Sequence, residues 1–304
     1  MLVRRATALA ARGRLADAGR LYDQAATLHR RARRGFDEAT CLTLVAQCRR
    51  LTGDLPGATR ALDRAAALGT ARTAIDAERA ECAISAGDLE TASNALTDAL
   101  ASAAPAAAPE LLRRRATTFA GLGKAAHARR DFADAADSFA AAGEDAKVRR
   151  VLVEWATAMH TLGDTEELAA ALARARAAVS GDPALSGELD LLEAAEAVRG
   201  EHWERAEELT LSARERALAS RSPTLYCGAS ISLAELAGLR GDRLAAYRAL
   251  ATGWATLGDL LGSEAAATVF RPKLEALQRT WGTEAFATVR REHEHLRRTE
   301  LGRN

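Results

Sequence analysis

The residues best suited to chemistry stand near the C-terminus, in the stretch REHEHLRR. His293 and His295 alternate there with Glu292 and Glu294, and imidazole and carboxylate groups are common metal ligands. On a helix, residues two apart point about 200° away from each other, so the two histidines do not share one ion. Glu292 and His295 supply at most two ligands together. We therefore expect no metal site and interpret the stretch as a polar helix face.

A second pair of histidines, His127 and His160, is expected in the last turns of two equivalent helices. A cation at such a position interacts favourably with the helix dipole. Two interpretations stay open: a functional pair that faces a shared groove, and ordinary histidines at helix ends.

Motifs for nucleophilic or phosphate chemistry are missing from the sequence. There is no GxSxG, no glycine-rich loop that ends in Lys-Ser/Thr, and no HExxH. The sequence therefore favours a protein that is not an enzyme, with no catalytic residue, no cofactor and no metal. A site assembled from residues far apart in the chain is the remaining alternative.

Charge gives little reason to expect nucleic acid as a partner. The 42 basic and 41 acidic side chains leave a formal net charge of +1, so no global field attracts a polyanion. Arginines cluster at Arg30–Arg34, at Arg113–Arg115 and at Arg297–Arg298, but no helix-turn-helix pattern accompanies them. We interpret these runs as solvated charged faces.

A turn followed by an amphipathic run recurs along the whole chain. Five residues after most turns stands a small or apolar residue, and further ones follow at steps of four and three, on one stripe of a helix. A period of this length is typical of helical hairpins that must stack to bury their apolar faces. The turns are spaced by 33 to 43 residues and align at Gly13, Gly53, Gly87, Arg130, Gly163, Glu201, Gly241 and Gly282.

The stretch FAGLGKAAHARRDFADAADSFAAA resembles the tetratricopeptide repeat (TPR). The TPR pattern is an aromatic residue, two residues, Leu-Gly, two residues and Tyr, followed by Gly-x-aromatic and alanines at fixed steps. Phe119, Leu122 and Gly123 match its first part, whereas Ala126 replaces the Tyr and Arg130 replaces the turn Gly. Several repeats run near 40 rather than 34 residues, which resembles the long repeats of bacterial regulatory proteins.

We therefore predict an all-α fold, a right-handed superhelical solenoid of about seven to eight TPR-like helical hairpins with a C-terminal capping helix. The turn Gly accepts a left-handed backbone, and the Asp after it is expected to cap the next helix. Pro272 is expected to end or kink a helix in the last segment. One array is predicted over residues 1–304, with approximate repeats at 1–34, 35–70, 71–104, 110–145, 146–182, 183–222 and 223–260 and a degenerate repeat or cap at 261–304.

The resemblance implies a groove lined mainly by the first helix of each hairpin, which in TPR proteins binds peptides or helices of partner proteins. The Lys and Asn set with which cochaperones clamp a C-terminal carboxylate is not reproduced at Thr43, Ala77, Ala120 and Val153. We predict an adaptor for a protein or peptide partner; the alternative is a bacterial regulatory sensor of a small molecule or signalling peptide. Repeat register assigns to the groove Gln47, Arg50, Glu81, Lys124, His127, Thr157, His160, Arg199 and Glu235.

The cysteines Cys41, Cys48, Cys82 and Cys227 are scattered and form no paired motif. They are interpreted as small core residues in a reducing compartment. The N-terminus shows no signal-peptide pattern, and no apolar run approaches the roughly 18 residues that span a bilayer. The chain is therefore predicted to be cytoplasmic with no membrane partner, and its terminal repeats leave homo-oligomerisation open.

Overall fold

The computed structural model describes residues 1–301, which form sixteen α-helices and no β-strand. The predicted all-α class is confirmed, whereas the handedness of a superhelix stays a prediction. In chain order the helices are α1 (Leu2–Ala10), α2 (Leu15–Arg31), α3 (Gly35–Leu51), α4 (Leu55–Ala66), α5 (Arg72–Ser85), α6 (Leu89–Ala101), α7 (Ala108–Gly121), α8 (Ala125–Ala141), α9 (Asp145–Leu162), α10 (Thr165–Ala178), α11 (Pro183–Arg199), α12 (Trp203–Ala219), α13 (Pro223–Leu239), α14 (Arg243–Leu261), α15 (Ser263–Trp281) and α16 (Thr283–Leu301).

Short turns join the helices in pairs, and the chemistry of these turns follows the sequence. Gly53, at the end of α3, has a φ of +85°, which favours a residue without a Cβ. The carboxylate of Asp54 then accepts a hydrogen bond from the backbone N–H of Gly57 at 2.9 Å and caps α4. Equivalent caps form at Asp88, Asp164 and Asp242, so the predicted caps are confirmed.

The turn of the fourth hairpin lies at Gly123, and its assignment to Arg130 is wrong. Gly123 has a φ of +72° and separates α7 from α8, whereas Arg130 lies inside α8. A left-handed turn needs a residue that tolerates positive φ, and glycine meets this need at no steric cost. In the corrected register Ala128, Phe132 and Ala135 form the stripe at steps of four and three, and all three are fully buried.

The chain divides into two compact units, Met1–Leu168 and Ala169–Asn304, and the division falls inside α10. A single array over residues 1–304 stays a prediction. In the first unit, buried alanines let neighbouring helix axes approach closely. Larger side chains fill the remaining space, as where Phe132 on α8 stacks on Trp155 on α9 with 6.5 Å between ring centroids.

In the second unit, Phe270 joins α13, α14 and α15. This ring is fully buried, and a Cβ on Gly253 would lie 2.7 Å from its Cζ. The repeat stripe therefore carries glycine at Gly253, where most hairpins carry alanine. Helix α15 continues through Pro272, so this proline does not end the helix, and it stands only two residues after the ring that anchors α15 in the core.

The last helix, α16, packs on α14 through aromatic contacts. The ring of Tyr247 lies 5.5 Å from that of Phe286 and 5.4 Å from that of His293. Within residues 1–299, no three His, Cys, Asp or Glu side chains are arranged to hold a metal ion. None of the described helices combines the length and apolar character that a membrane crossing requires.

Candidate binding surfaces

Ion pairs connect the first helices of successive hairpins in the first unit. They involve side chains of α3, α5, α7 and α9, which the register prediction only partly includes. We call this set the first-helix ladder; it consists of Arg50, Glu78, Glu81, Glu110, Arg113, Arg114 and Glu154.

At the α3 end of the ladder, the Nε of Arg50 donates to Oε1 of Glu78 on α5 at 2.7 Å. Both side chains are largely buried, with 13% and 10% of their surface exposed. Burial raises the pKa of Glu78, and the hydrogen bond and charge of Arg50 oppose that rise. Arg50 therefore links two first helices and is already engaged.

At the centre of the ladder, α7 supplies two guanidinium groups. Arg113 donates to both carboxylate oxygens of Glu154 on α9, at 3.0 and 2.8 Å, and Arg114 donates to Glu81 on α5 at 3.1 Å. Glu110 accepts from both arginines. Burial alone would raise the pKa of Glu110, but the two arginines bring it below its ordinary value.

The third arginine of the run, Arg115, pairs with the second helix of its own hairpin. Its Nε and Nη2 donate to the two oxygens of Asp131 on α8 at 2.6 and 2.9 Å, and only 5% of the Asp131 side chain is exposed. The interpretation of Arg113–Arg115 as a solvated charged face is therefore wrong. Each guanidinium has a carboxylate partner on another helix, between 16 and 41 residues away in the chain.

The assignment of Lys124 and His127 to a first helix is also wrong. Because the turn lies at Gly123, both stand at the start of the second helix α8. The Nζ of Lys124 lies 3.1 Å from both carboxylate oxygens of Glu90. His127 is exposed and its ring packs against Phe119 with 5.1 Å between centroids.

Three further predicted groove residues, Gln47, Thr157 and His160, lie on first helices. Gln47 on α3 and Thr157 on α9 are exposed. Each is three residues from a member of the ladder on its own helix, which places it on the same side of that helix. His160 lies in the last turn of α9, so it is not equivalent to His127, and a functional pair of these two histidines finds no support in the repeat geometry.

The last two predicted groove residues lie in the second unit and also have partners. Arg199 on α11 donates to Glu196 of its own helix at 2.9 Å. Glu235 on α13 accepts from Lys273 on α15 at 3.4 Å. These contacts repeat, in the second unit, the pattern of polar links within and between first helices.

A cleft of about 420 Å³ also lies in the second unit. Its walls are the second helices α12 and α14, its floor is α13, and we call it the α14 cleft. The apolar part of its lining includes Leu211, Leu233, Leu236, Ala245 and Ala249. Three arginines reach it as well: Arg214 from α12, Arg240 from the turn after α13, and Arg248 from α14.

The charged groups of the α14 cleft differ in how they are engaged. The Nη1 of Arg240 donates to Glu207 at 2.6 Å, and the carboxylate of Asp242 caps α14 by accepting from the N–H of Ala245. Arg214, by contrast, forms no ion pair with any residue between 1 and 299. Sequence reasoning missed this cleft because its lining comes from three helices and follows no repeat position.

No protein-family model matches the sequence, and no curated protein matches it. Solved structures are nevertheless similar in fold. A signal transduction ATPase with numerous domains (STAND) that has a TPR sensor, from Pyrococcus horikoshii, matches 89% of this chain with a TM-score of 0.68 and 14% identity. The match covers 43% of that protein, so this chain spans less than half its length.

Two further structures cover nearly the same part of the chain. The apo form of RapI matches 91% of this chain and 86% of its own, with a TM-score of 0.65 and 10% identity. A TPR protein from Parabacteroides merdae matches 89% of this chain and 96% of its own, with a TM-score of 0.60 and 17% identity. At such identities the likeness concerns the fold alone, and the predicted TPR-like fold is confirmed.

Proposed function

We propose that this chain is a non-enzymatic adaptor that holds a segment of a partner protein against its first helices. The observation that carries the proposal is the first-helix ladder. Its side chains alternate in charge and keep between 10% and 39% of their surface exposed. Because ion pairs already hold them in place, a partner that contacts them loses little side-chain entropy from this surface.

The engagement of the charged residues supports a binding rather than a catalytic role. A general acid or base needs a proton affinity matched to its task and access to a substrate. In the ladder, the carboxylates of Glu78, Glu81 and Glu154 instead accept hydrogen bonds from arginines of neighbouring first helices. These contacts stabilise the stacking of hairpins and present polar groups to a partner.

We also propose a cytoplasmic location, which the cysteines support. Cys41, Cys48 and Cys82 are buried and form no disulfide. Burial raises the pKa of each thiol, that of Cys82 to about 11, so the less reactive protonated form predominates at neutral pH.

Site-specific photo-crosslinking tests the adaptor role. A photoreactive amino acid replaces Gln47 or Thr157 on the first helices, and as a control it replaces Arg60, an exposed residue on the second helix α4. We expect positions 47 and 157 to crosslink the same protein in cells, which mass spectrometry identifies. Position 60 is expected not to crosslink this protein. Equal crosslinking from all three positions, or none from 47 and 157, contradicts the proposal.

A second candidate function is that of a regulatory sensor, and the α14 cleft favours it. Ligand sites commonly combine an apolar lining with a few converging polar groups in roughly 300–1,000 Å³. The cleft has such a lining, three converging arginines and a volume of about 420 Å³. One structural neighbour is itself described as having a TPR sensor. To test this role, ligand binding is measured with the purified chain and with an Arg214 variant. We expect the variant to lose the binding.

A further inference from the structure

We propose that the α14 cleft binds a short peptide segment in which leucine-like side chains are flanked by carboxylates. The inference rests on the sensor role, which it deepens by naming the chemistry of the ligand. It is independent of the first-helix ladder, because the two surfaces share no residue.

The lining of the cleft suits an apolar side chain. Leu211 on the α12 wall leaves 37% of its surface exposed, although it stands beside the nearly buried floor residues Leu233 and Leu236. Ala245 and Ala249 on the opposite wall are small and leave room above the floor. An apolar side chain placed there covers Leu211 and completes the contacts that this chain alone leaves unmade.

The charge around this apolar patch suits a carboxylate. The lining carries three arginines against two carboxylates, Glu207 and Asp242. Glu207 is bound to Arg240, and Asp242 is committed to the N-terminus of α14. Arg214 is a half-buried residue whose guanidinium has no carboxylate partner among residues 1–299. A guanidinium in this situation recognises a carboxylate through two parallel hydrogen bonds.

The length of the surface favours a peptide over a small ion. Arg248 and Thr252 also border a second cleft, of about 360 Å³, between α14 and α16. This second cleft again offers an apolar side chain and an arginine, Leu296 and Arg297. Together the two clefts extend along α14 from Ala245 to Asp259. This stretch of helix is about 20 Å long, the length of roughly six residues in an extended peptide. A peptide with two apolar and several acidic side chains fills both clefts.

Fluorescence anisotropy with synthetic hexapeptides tests the proposal. The probe is fluorescein-labelled Glu-Leu-Glu-Glu-Leu-Glu, and the matched peptides carry Lys in place of Glu or Ser in place of Leu. We expect the purified chain to bind the first peptide at least tenfold more tightly than either of the others. Arg214→Ala is expected to weaken this binding about tenfold, the value of one charge-assisted contact.

The control for Arg214→Ala is Arg205→Ala on the same helix. Arg205 borders a different surface of α12, leaves 60% of its side chain exposed, and pairs with Glu208 at 3.4 Å. A second pair of variants tests the apolar contact: Leu211→Ala is expected to weaken binding, and Leu218→Ala, exposed on the same helix but outside the cleft, is expected to leave it unchanged. Circular dichroism verifies that all four variants are folded.

Three results overturn the proposal. They are equal binding of the Lys or Ser peptide, an unchanged affinity after Arg214→Ala, and binding of N-acetyl-leucine as tight as that of the hexapeptide, which identifies a small ligand instead. Crosslinking from positions 47 and 157 reports on the first-helix surface alone. Failure of the peptide proposal therefore leaves the adaptor proposal standing, and the reverse also holds.

Discussion

The guanidinium of Arg113 on α7 lies 2.8 Å from the carboxylate of Glu154 on α9, and 41 residues separate the two in the chain. This separation is close to one repeat. The link between Glu81 and Arg114 spans 33 residues and joins α5 to α7 in the same way. Ion pairs thus recur with the period of the hairpins and connect equivalent helices of neighbouring repeats.

Removal of the Arg113 side chain tests whether these links stabilise the first unit. Arg113→Ala leaves Glu154 and Glu110 without the guanidinium that both contact. We expect the free energy of unfolding, measured by urea denaturation, to fall by about 1–2 kcal/mol, as for other hydrogen bonds to charged groups in partly exposed positions. Arg130→Ala is the control, since Arg130 is exposed and lies 3.8 Å from Asp134. Equal losses in the two variants contradict a special role of the ladder.

The ladder also predicts a pH dependence, through Glu110. Its pKa in the folded chain lies below the ordinary value of 4.5, because Arg113 and Arg114 outweigh the effect of burial. The charged carboxylate therefore stabilises the fold above that ordinary value, and the stabilisation is lost as the pH falls through the folded pKa. We expect Glu110→Gln to be less stable than the parent at neutral pH and to lose less stability between about pH 5 and pH 3.

Urea denaturation at several pH values measures this difference. A parent chain and a Glu110→Gln variant whose stabilities fall in parallel on acidification contradict the assignment of the pH dependence to this carboxylate.

Gly253 predicts a steric effect in the second unit. A Cβ at this position would lie 2.7 Å from Cζ of Phe270 and 3.0 Å from Cβ of Ser230. We expect Gly253→Ala to lower the unfolding free energy by about 1–3 kcal/mol, the usual cost of overpacking a core. Gly238→Ala is the matched control on α13, because a Cβ there meets nothing within 4 Å and alanine favours the helix. Thermal unfolding followed by circular dichroism should show opposite shifts of the melting temperature.

Ser230 predicts a stabilising substitution. Its side-chain oxygen is buried and has no hydrogen-bond partner in the part of the chain that the structure describes, which leaves the cost of its desolvation uncompensated. We expect Ser230→Ala to raise the unfolding free energy by roughly 1 kcal/mol. Ser93→Ala is the control, since the hydroxyl of this buried serine donates to the carbonyl of Glu90 at 2.9 Å. A gain in the Ser93 variant that equals the gain in the Ser230 variant points to helix propensity as the cause.

Local chemistry explains why the fold could be predicted from the sequence. The spacing of the stripe and the glycine and aspartate of each turn are visible within about a dozen residues, and caps such as that of Asp54 form as expected. The error at Arg130 arose because two glycines, Gly121 and Gly123, precede it, and the pattern alone does not show which residue adopts a positive φ. The structure identifies Gly123.

The site residues were harder to predict, because their surroundings depend on distant parts of the chain. Arg50 and Glu81 have the right helix and the right register, yet their partners Glu78 and Arg114 stand 28 and 33 residues away. From the sequence alone, the two residues of such a pair are each interpreted as a solvated charge. The α14 cleft depends on the separation of α12 and α14, and no pattern of residues in the sequence predicts that separation.

The ladder has a consequence for how the first unit assembles. Buried alanines recur on its helices, among them Ala18, Ala39, Ala58 and Ala92. Arg113 and Arg114 on α7 contact carboxylates on α9 and α5. If α7 stacked on α3 instead, the two arginines would face Arg50, which has the same charge. Repulsion of this kind disfavours incorrect partners. Charge thus adds to the apolar contacts a second feature by which one neighbouring hairpin is told from another.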